Sequence, residues 1–388
     1  MNKRRIAVIT AGRSDYSIYM PILAEFARRH LEYGLIVTGS HLSEEQGNTV
    51  SRIEKDGQPI FGRAPAELKS DQPSDIARSM GHITSQIGDL LHRLMPDMLL
   101  VLGDRFEMHA AVSAASPFSM PIAHIHGGEI TVGAIDDRFR HSLTKLSHLH
   151  FVSTEKAARR VQQMGEEAWR IAVSGAPALD SLRWNQPLDR ADFFRAIGWS
   201  SPQDFILVTY HPVTLEPGQE EGQVKQLLAA LKELKRPVLF TLANMDVGGR
   251  TINGEIRRFL SEYSNATLIP SLGPDLYFSA MKHASVMVGN SSSGIIEAAS
   301  FGLPVVNIGN RQLGREHGPN VINCGYLRDE ILQAMDSALS PDFRASVSGM
   351  KNLYGDGKAA QRIVDRLTGV AIDSTLLRKR FIDMDCAT

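Results

Sequence analysis

Short runs of aliphatic and β-branched residues alternate with amphipathic stretches along the whole chain, and most of these runs end in a polar cluster containing glycine or serine. Strands that read as continuous apolar runs are buried on both faces, and strands separated by helices pair in parallel. The alternation therefore predicts parallel sheets covered by helices on both sides. In the first half Ile6 to Ile9, Leu35 to Val37, Met98 to Leu102, Ile122 to Ile125 and Leu149 to Val152 read as strands. The pattern restarts with Phe205 to Thr209, Val238 to Thr241, Ala266 to Ile269, Val286 to Val288 and Val305 to Ile308. The clearest helix runs from about Ser74 to Leu94, where Ile76, Met80, Ile83, Ile87, Leu90, Leu91 and Leu94 recur at threes and fours. Ser74 is its expected cap, and Pro96 prevents its continuation. Between the halves, Ser181 to Leu188 carries Trp184, Asn185 and Pro187 and is the expected linker. A chain of 388 residues with 43% hydrophobic content is too long for one compact core. The expectation is an α/β protein of two doubly wound domains, 1–183 and 184–365, facing a cleft, with a tail over 366–388. Gly357 to Leu367 reads as a last helix, its return onto the first domain left open.

Composition removes several classes of function. The formal net charge is -1 with both signs interspersed, so no basic face points to nucleic acid or a membrane surface. The apolar run Ile6 to Ile9 is too short for a signal peptide, and no stretch approaches the roughly 20 apolar residues of a membrane span. A cytoplasmic protein is expected. Cys324 and Cys386 have neither metal-ligand spacing nor a disulfide framework, which fits a reducing compartment.

Open α/β sheets bind ligands beyond the carboxyl ends of their strands, which is where the polar clusters fall. The richest follows Val286 to Val288. There Ser291, Ser292 and Ser293 with Gly294 offer hydroxyls and backbone N–H groups at a helix start, suited to a pyrophosphate. Glu297 is expected one turn into that helix, placed to accept both hydroxyls of a ribose, and the next strand delivers Arg311 and Arg315, whose fixed charges suit phosphate. The grouping reads as a nucleotide site. His211 ends the strand Phe205 to Thr209, suited to phosphate donation or proton shuttling, and Asn244 and Asp246 end the next one.

In the first half, Thr10 to Ser17 combines a glycine turn, Arg13 and the hydroxyl of Ser17 at a helix start, without the GxGxxG spacing of dinucleotide sites. Asp104 emerges from a buried strand, where a carboxylate is costly unless used or paired; a functional role in the cleft is the main reading, and a structural salt bridge to Arg105 is the alternative. His124, His126 and Glu129 end another strand, and Asp136, Asp137, Arg138, Arg140 and His141 follow shortly after. Such a set of acids and histidines could bind a metal, but no metal-site spacing is present and the arginines oppose a cation. General acid–base work on an anionic substrate fits better.

The motifs TAGRSDYS, VLGDRFE, HIHGGE, IDDRFRHSLTKLSH, TYHPVT, GNSSSGIIE and NIGNRQLGR occur in this order over about residues 4 to 365. Together they resemble the hydrolysing UDP-N-acetylglucosamine 2-epimerases of bacterial sialic and legionaminic acid synthesis. The non-hydrolysing branch usually shows H-x-E-A-G-x-R where this chain has HIHGGE followed by IDDRFRH, and some members carry glutamate at the position of His126. The resemblance implies two Rossmann-like domains of the glycosyltransferase-B type, UDP held mainly by the second, and a homodimer or homotetramer. It implies that Arg13, Ser17, His211, Asn244, Ser291, Ser292, Glu297 and Arg311 hold the nucleotide, and that Asp104, Glu129, Asp136, Asp137 and Arg140 line the sugar. The implied reaction eliminates UDP across C1 and C2 to a 2-acetamidoglycal and adds water with inversion at C2. It calls for neither nicotinamide nor a metal. Either Asp104 or Asp136 is the expected base, and either His126 or Glu129 the expected proton donor. The same chemistry on UDP-N,N'-diacetylbacillosamine, a UDP-sugar glycosyltransferase of the same architecture, and a nucleotide-sugar sensor without turnover are the alternatives.

Overall fold

The computed structural model describes residues 4–44, 48–68, 70, 72–132, 136–184, 186–201, 203–213, 215–243 and 248–383. Asn244 lies outside them, as do Asp246 and Cys386. The chain forms two units, Met1–Glu129 with Ile135–Ser181 and Tyr354–Thr388, and Ile130–Ala134 with Leu182–Leu353. In the first, β1 (Arg5–Thr10), β2 (Glu32–Thr38), β3 (Ile60–Ala64), β4 (Met98–Leu102), β5 (Ile122–Ile125), β6 (Leu149–Val152) and β7 (Ile171–Val173) form one sheet in the order β3-β2-β1-β4-β5-β6-β7. In the second, β8 (Ile206–Thr209), β9 (Val238–Phe240), β10 (Ala266–Leu268), β11 (Val286–Gly289), β12 (Val305–Ile308) and β13 (Val321–Cys324) are ordered β10-β9-β8-β11-β12-β13. Every neighbouring pair is parallel. Both sheets are thus doubly wound, with the order reversing between β1 and β4 and between β8 and β11.

Because successive strand residues point to opposite faces, the first sheet has two cores. Ile6, Val8, Leu35, Val37, Met98 and Leu100 pack against the helices Arg13–Arg28 and Ala359–Gly369. Ala7, Ile9, Ile36, Leu99 and Val101 meet the helices Pro73–Leu94 and Phe106–Ala115 on the other side. In the second unit, β8, β9, β11 and β12 pack on the helices Glu220–Leu234, Gly249–Glu262 and Arg328–Leu339.

The C-terminal residues depart from the expected division into a 184–365 domain and a 366–388 tail. Ile363, Val364 and Leu367 are fully buried in the first unit's core. The buried carboxylate of Asp180 caps their helix, accepting from the N–H groups of Ala359 at 2.9 Å and Ala360 at 2.7 Å. Buried Arg170 then donates to the carbonyls of Leu376 (2.7 Å), Thr375 (2.8 Å) and Arg378 (3.1 Å), so the segment is anchored to unit 1. Two smaller differences are local. Gln72 and not Ser74 is the N-cap of the helix Pro73–Leu94, because Pro73 occupies its first position. The strands missed by the apolar pattern, β3, β7 and β13, are sheet edges that are only partly buried. Among the described residues no helix is long and apolar enough to cross a membrane.

Candidate active site

In the first unit, polar groups collect at the carboxyl ends of β1, β4, β5 and β6, around the reversal of strand order. After β1 the chain turns into a helix whose N-cap is Gly12. Asp15 makes this turn: its buried carboxylate accepts from the N–H groups of Ala11 (2.6 Å) and Gly12 (2.7 Å), and burial pushes it up to about 6 despite those bonds. Arg13 is left exposed at the helix start. Ser17 is not at the helix start as expected: it lies a turn inside, exposed, and its hydroxyl donates to the carbonyl of Arg13 at 2.8 Å.

After β4 the alternative of an Asp104–Arg105 salt bridge is not realised. Arg105 pairs side-on with buried Glu107, both contacts at 3.1 Å, which holds the guanidinium firmly charged. Asp104 pairs instead with Arg140, whose buried guanidinium also faces Asp137 at 3.7 Å. The reason is directional. Arg105 is the N-cap residue of the helix Phe106–Ala115, and Glu107 in that helix's first turn lies beside it, whereas Arg140 comes from a separate helix, Asp136–Leu146. Burial works to discharge Arg140, but Asp104, Glu129 and Asp137 outweigh it and raise its pKa. Asp136, the first residue of the same helix, is pushed up to about 6 by burial and then by the charge of Asp104, with Arg105 pulling the other way. One arginine therefore neutralises one carboxylate while a neighbouring acid keeps a raised affinity for a proton, the arrangement that separates the roles of paired acids.

After β5 the turn is tight. Gly128 has φ +74°, and a Cβ there would lie 2.4 Å from the carbonyl oxygen of Ala157, so only glycine fits. His126 has φ +64°, an uncommon conformation for a residue with a Cβ. Its Nδ1 lies 2.6 Å from Glu129 Oε1, which also accepts from Ser153 Oγ at 2.8 Å. His124 is fully buried, sharing a hydrogen bond with the carbonyl of Gly103 at 2.7 Å, and burial holds it down at about 3. His141 reaches Asp137 at 3.4 Å.

In the second unit, Asn290 ties the ends of β8 and β11 together. Its Oδ1 accepts from His211 N–H at 2.7 Å, its Nδ2 donates to the His211 carbonyl at 2.8 Å, and its own carbonyl accepts from Arg311 (3.1 Å) and Gln312 (2.9 Å). Gly289 permits this approach: at φ +141°, a Cβ would lie 2.0 Å from the Thr209 carbonyl oxygen. Burial, followed by the charge of Arg311, drives His211 down to about 3, so its imidazole is neutral at ordinary pH. Ser291 caps the five-residue helix Ser292–Ile296, and its hydroxyl shares a 2.7 Å hydrogen bond with that of Ser293, which in turn meets the hydroxyl of Tyr277 at 2.8 Å. Glu297 follows this helix as its C-cap and is not one turn inside it. Glu297 Oε2 is buried without a hydrogen-bond partner among the described residues, and burial pushes the carboxyl up to about 7. Arg315 contributes the charge that opposes this shift and reaches Gln312 Oε1 at 3.3 Å.

The structure thus brings Asp104, Asp136, Asp137 and Arg140 into one cluster, with His126 paired to Glu129 beside it, and gathers His211, the serines, Arg311 and Arg315 around Asn290. Glu107, Ser153, Asn290 and Tyr277 were not singled out from the sequence. Ser153 and Asn290 had a usable signal, since each is a polar residue directly after a buried strand.

The profile of the family described as UDP-N-acetylglucosamine 2-epimerase matches residues 24–368. The GDP/UDP-N,N'-diacetylbacillosamine 2-epimerase (hydrolyzing) of Campylobacter jejuni is 37% identical, covering 99% of this chain and 100% of that protein. The UDP-N,N'-diacetylbacillosamine 2-epimerase (hydrolyzing) of Legionella pneumophila is 35% identical, covering 97% and 98%. Among solved structures, UDP-GlcNAc 2-epimerase from Neisseria meningitidis bound to UDP-GlcNAc has a TM-score of 0.81 over 94% of this chain and 100% of that one, at 18% identity, a likeness of fold. With a family profile spanning most of its length and full-length relatives above 30% identity, the chain belongs to the UDP-N-acetylglucosamine 2-epimerase family.

Proposed function

We propose that this chain is a hydrolysing 2-epimerase that converts UDP-N-acetylglucosamine and water into N-acetylmannosamine and UDP. Family membership and the word "hydrolyzing" in the names of two full-length relatives support the reaction type. The observation that carries the chemistry is Asp136, pushed up to about 6 beside an Asp104 already paired with Arg140. A carboxylate locked to arginine is a poor base, whereas one with a raised pKa is matched to proton abstraction near neutrality. Asp136 therefore takes the C2 proton, and Asp104 with Arg140 and Asp137 orients the sugar. The C2–H electron pair becomes the C1=C2 double bond of the glycal, and the C1–O pair departs with UDP. C2–H is acidic only as that bond breaks, so stabilising the leaving pyrophosphate is part of the same step. Arg311, Arg315, neutral His211 as a donor, and the N–H groups and hydroxyls of Ser291, Ser292 and Ser293 serve it, while Glu297 takes the ribose hydroxyls. Arg13, Ser17 and Arg105 supply further contacts to the substrate. Water oxygen then bonds to C1, a proton enters C2 from the opposite face, and the water's proton goes to solvent.

A second reading changes only the sugar: both relatives named above act on UDP-N,N'-diacetylbacillosamine by their names. We place the protein in the cytoplasm, as a homo-oligomer in the supply of sialic or legionaminic type sugars. NMR with each nucleotide in D2O tests the function. Free UDP with a C2-deuterated 2-epimeric sugar is expected from one of them. Interconversion of UDP-sugars without free UDP, or no turnover of either, refutes the proposal.

A further inference from the structure

Glu129 and Ser153 do more in this geometry than line a sugar. An ionised carboxylate only accepts hydrogen bonds, so with Glu129 charged the 2.6 Å contact places a hydrogen of His126 on Nδ1, donated to Glu129 Oε1. Ser153 Oγ donates to the same oxygen at 2.8 Å from a site only 2% exposed. Glu129 is 7% exposed, and Arg140 adds positive charge beside it. His126 Nε2 makes no hydrogen bond to another described residue, and the ring is 12% exposed. The left-handed backbone of His126, held by its N–H donating to the Phe151 carbonyl at 2.9 Å, aims the ring at Glu129, a costly conformation of the kind that persists where a site requires it. The triad of carboxylate, imidazole and a free Nε2 is the arrangement by which a histidine is oriented for proton transfer.

We propose that Ser153, Glu129 and His126 form a relay in which Glu129 and Ser153 are positioning residues and Nε2 of His126 delivers the proton to C2 in the water-addition step. This rests on the hydrolysing reading above. Doubly protonated His126 gives the Nε2 proton to C2 of the glycal as the water oxygen bonds to C1. The π pair becomes the new C2–H bond, water releases a proton to solvent, and the imidazole is recharged from solvent. The proton removed sits on Asp136, so the hydrogen delivered is a solvent hydrogen.

Two measurements test the relay. In the wild-type protein labelled with 15N-histidine, the signal lost in His126→Asn is expected to be protonated on Nδ1 when the ring is neutral; an Nε2–H tautomer overturns the relay. With UDP-N-acetylglucosamine or UDP-N,N'-diacetylbacillosamine, whichever turns over, Glu129→Gln is expected to slow epimeric sugar formation by about 10²-fold or more, the scale of a lost acid–base contribution. UDP release should fall less, so 2-acetamidoglycal accumulates. Ser153→Ala should show the same partition in milder form and Ser153→Thr restore it. Equal loss of UDP release and sugar formation in both variants overturns the assignment to the addition step. The tautomer is read without turnover: an Nδ1–H form in a protein that turns over neither nucleotide supports the relay geometry and refutes the substrate reading instead.

Discussion

Charge placement decides which of several similar carboxylates can do what. Asp104 is spent on Arg140, whereas Asp136 is pushed up to about 6 by burial and Asp104 and restrained by Arg105. A base must be ionised, so kcat/KM is expected to fall as pH drops below about 6. In Arg105→Gln that acid limb should move to higher pH, because the cation opposing the shift is gone. Asp136→Asn should cost about 10²–10⁴-fold in kcat, measured by UDP release. Glu297 carries the opposite kind of consequence. Its folded pKa of about 7 lies above that of an ordinary carboxyl, so its contribution to stability is present at low pH and lost as pH rises through about 7. Glu297→Gln is therefore expected to stabilise the UDP-free protein at pH 8 by up to about 3 kcal/mol and to change little at pH 5, read from urea midpoints. The same variant should bind UDP about 10–100-fold more weakly by calorimetry, as for hydrogen bonds lost from a charged acceptor. The ribose role of Glu297 was readable in the sequence, but the raised carboxyls of Asp136 and Glu297 were not, because a sequence places acids after strands without saying how deeply each is buried or which arginine reaches it.

At the scale of elements, the helix Ala359–Gly369 is a structural part of the first sheet's packing. Leu367 and Ile363 are fully buried against β1, β2 and β4 residues, and Asp180 caps the helix across a long sequence separation. Leu367→Ala should cost about 2–5 kcal/mol in equilibrium unfolding, the range for a large-to-small core change. Asp180→Ala should cost about 1–2 kcal/mol through the lost cap. The periodicity of this helix, Ala360, Ile363, Val364 and Leu367, was readable, but an apolar stripe does not say which sheet it covers. The edge strands β3, β7 and β13 were hidden for local reasons: Gly62 and Arg63 interrupt β3, Asn323 interrupts β13, and β7 is a three-residue strand that is only partly buried.

For the whole molecule, the chain path through the two units sets what can be removed. Because the residues from Tyr354 onward return to unit 1, a chain ending at Leu353 would keep the strands of both sheets yet expose the face of the first that Ile363, Val364 and Leu367 cover. Such a truncation is expected to leave unit 1 protease-sensitive while peptides of unit 2 stay protected. Equal protection of both would contradict the packing described here.

The alternation of apolar runs and helical stripes, with polar clusters after the strands, was enough to determine two doubly wound parallel sheets and the strand ends at which chemistry would sit, because strand burial and helix amphipathicity are local in sequence. Pairing was not. That Arg140 and not Arg105 neutralises Asp104, that Ser153 joins His126 on Glu129, and that Asn290 holds His211 to Arg311 depend on side chains brought together from separate elements of the fold. Hydrogen bonds and buried charges act over a few ångströms, so tertiary structure alone decides those partners.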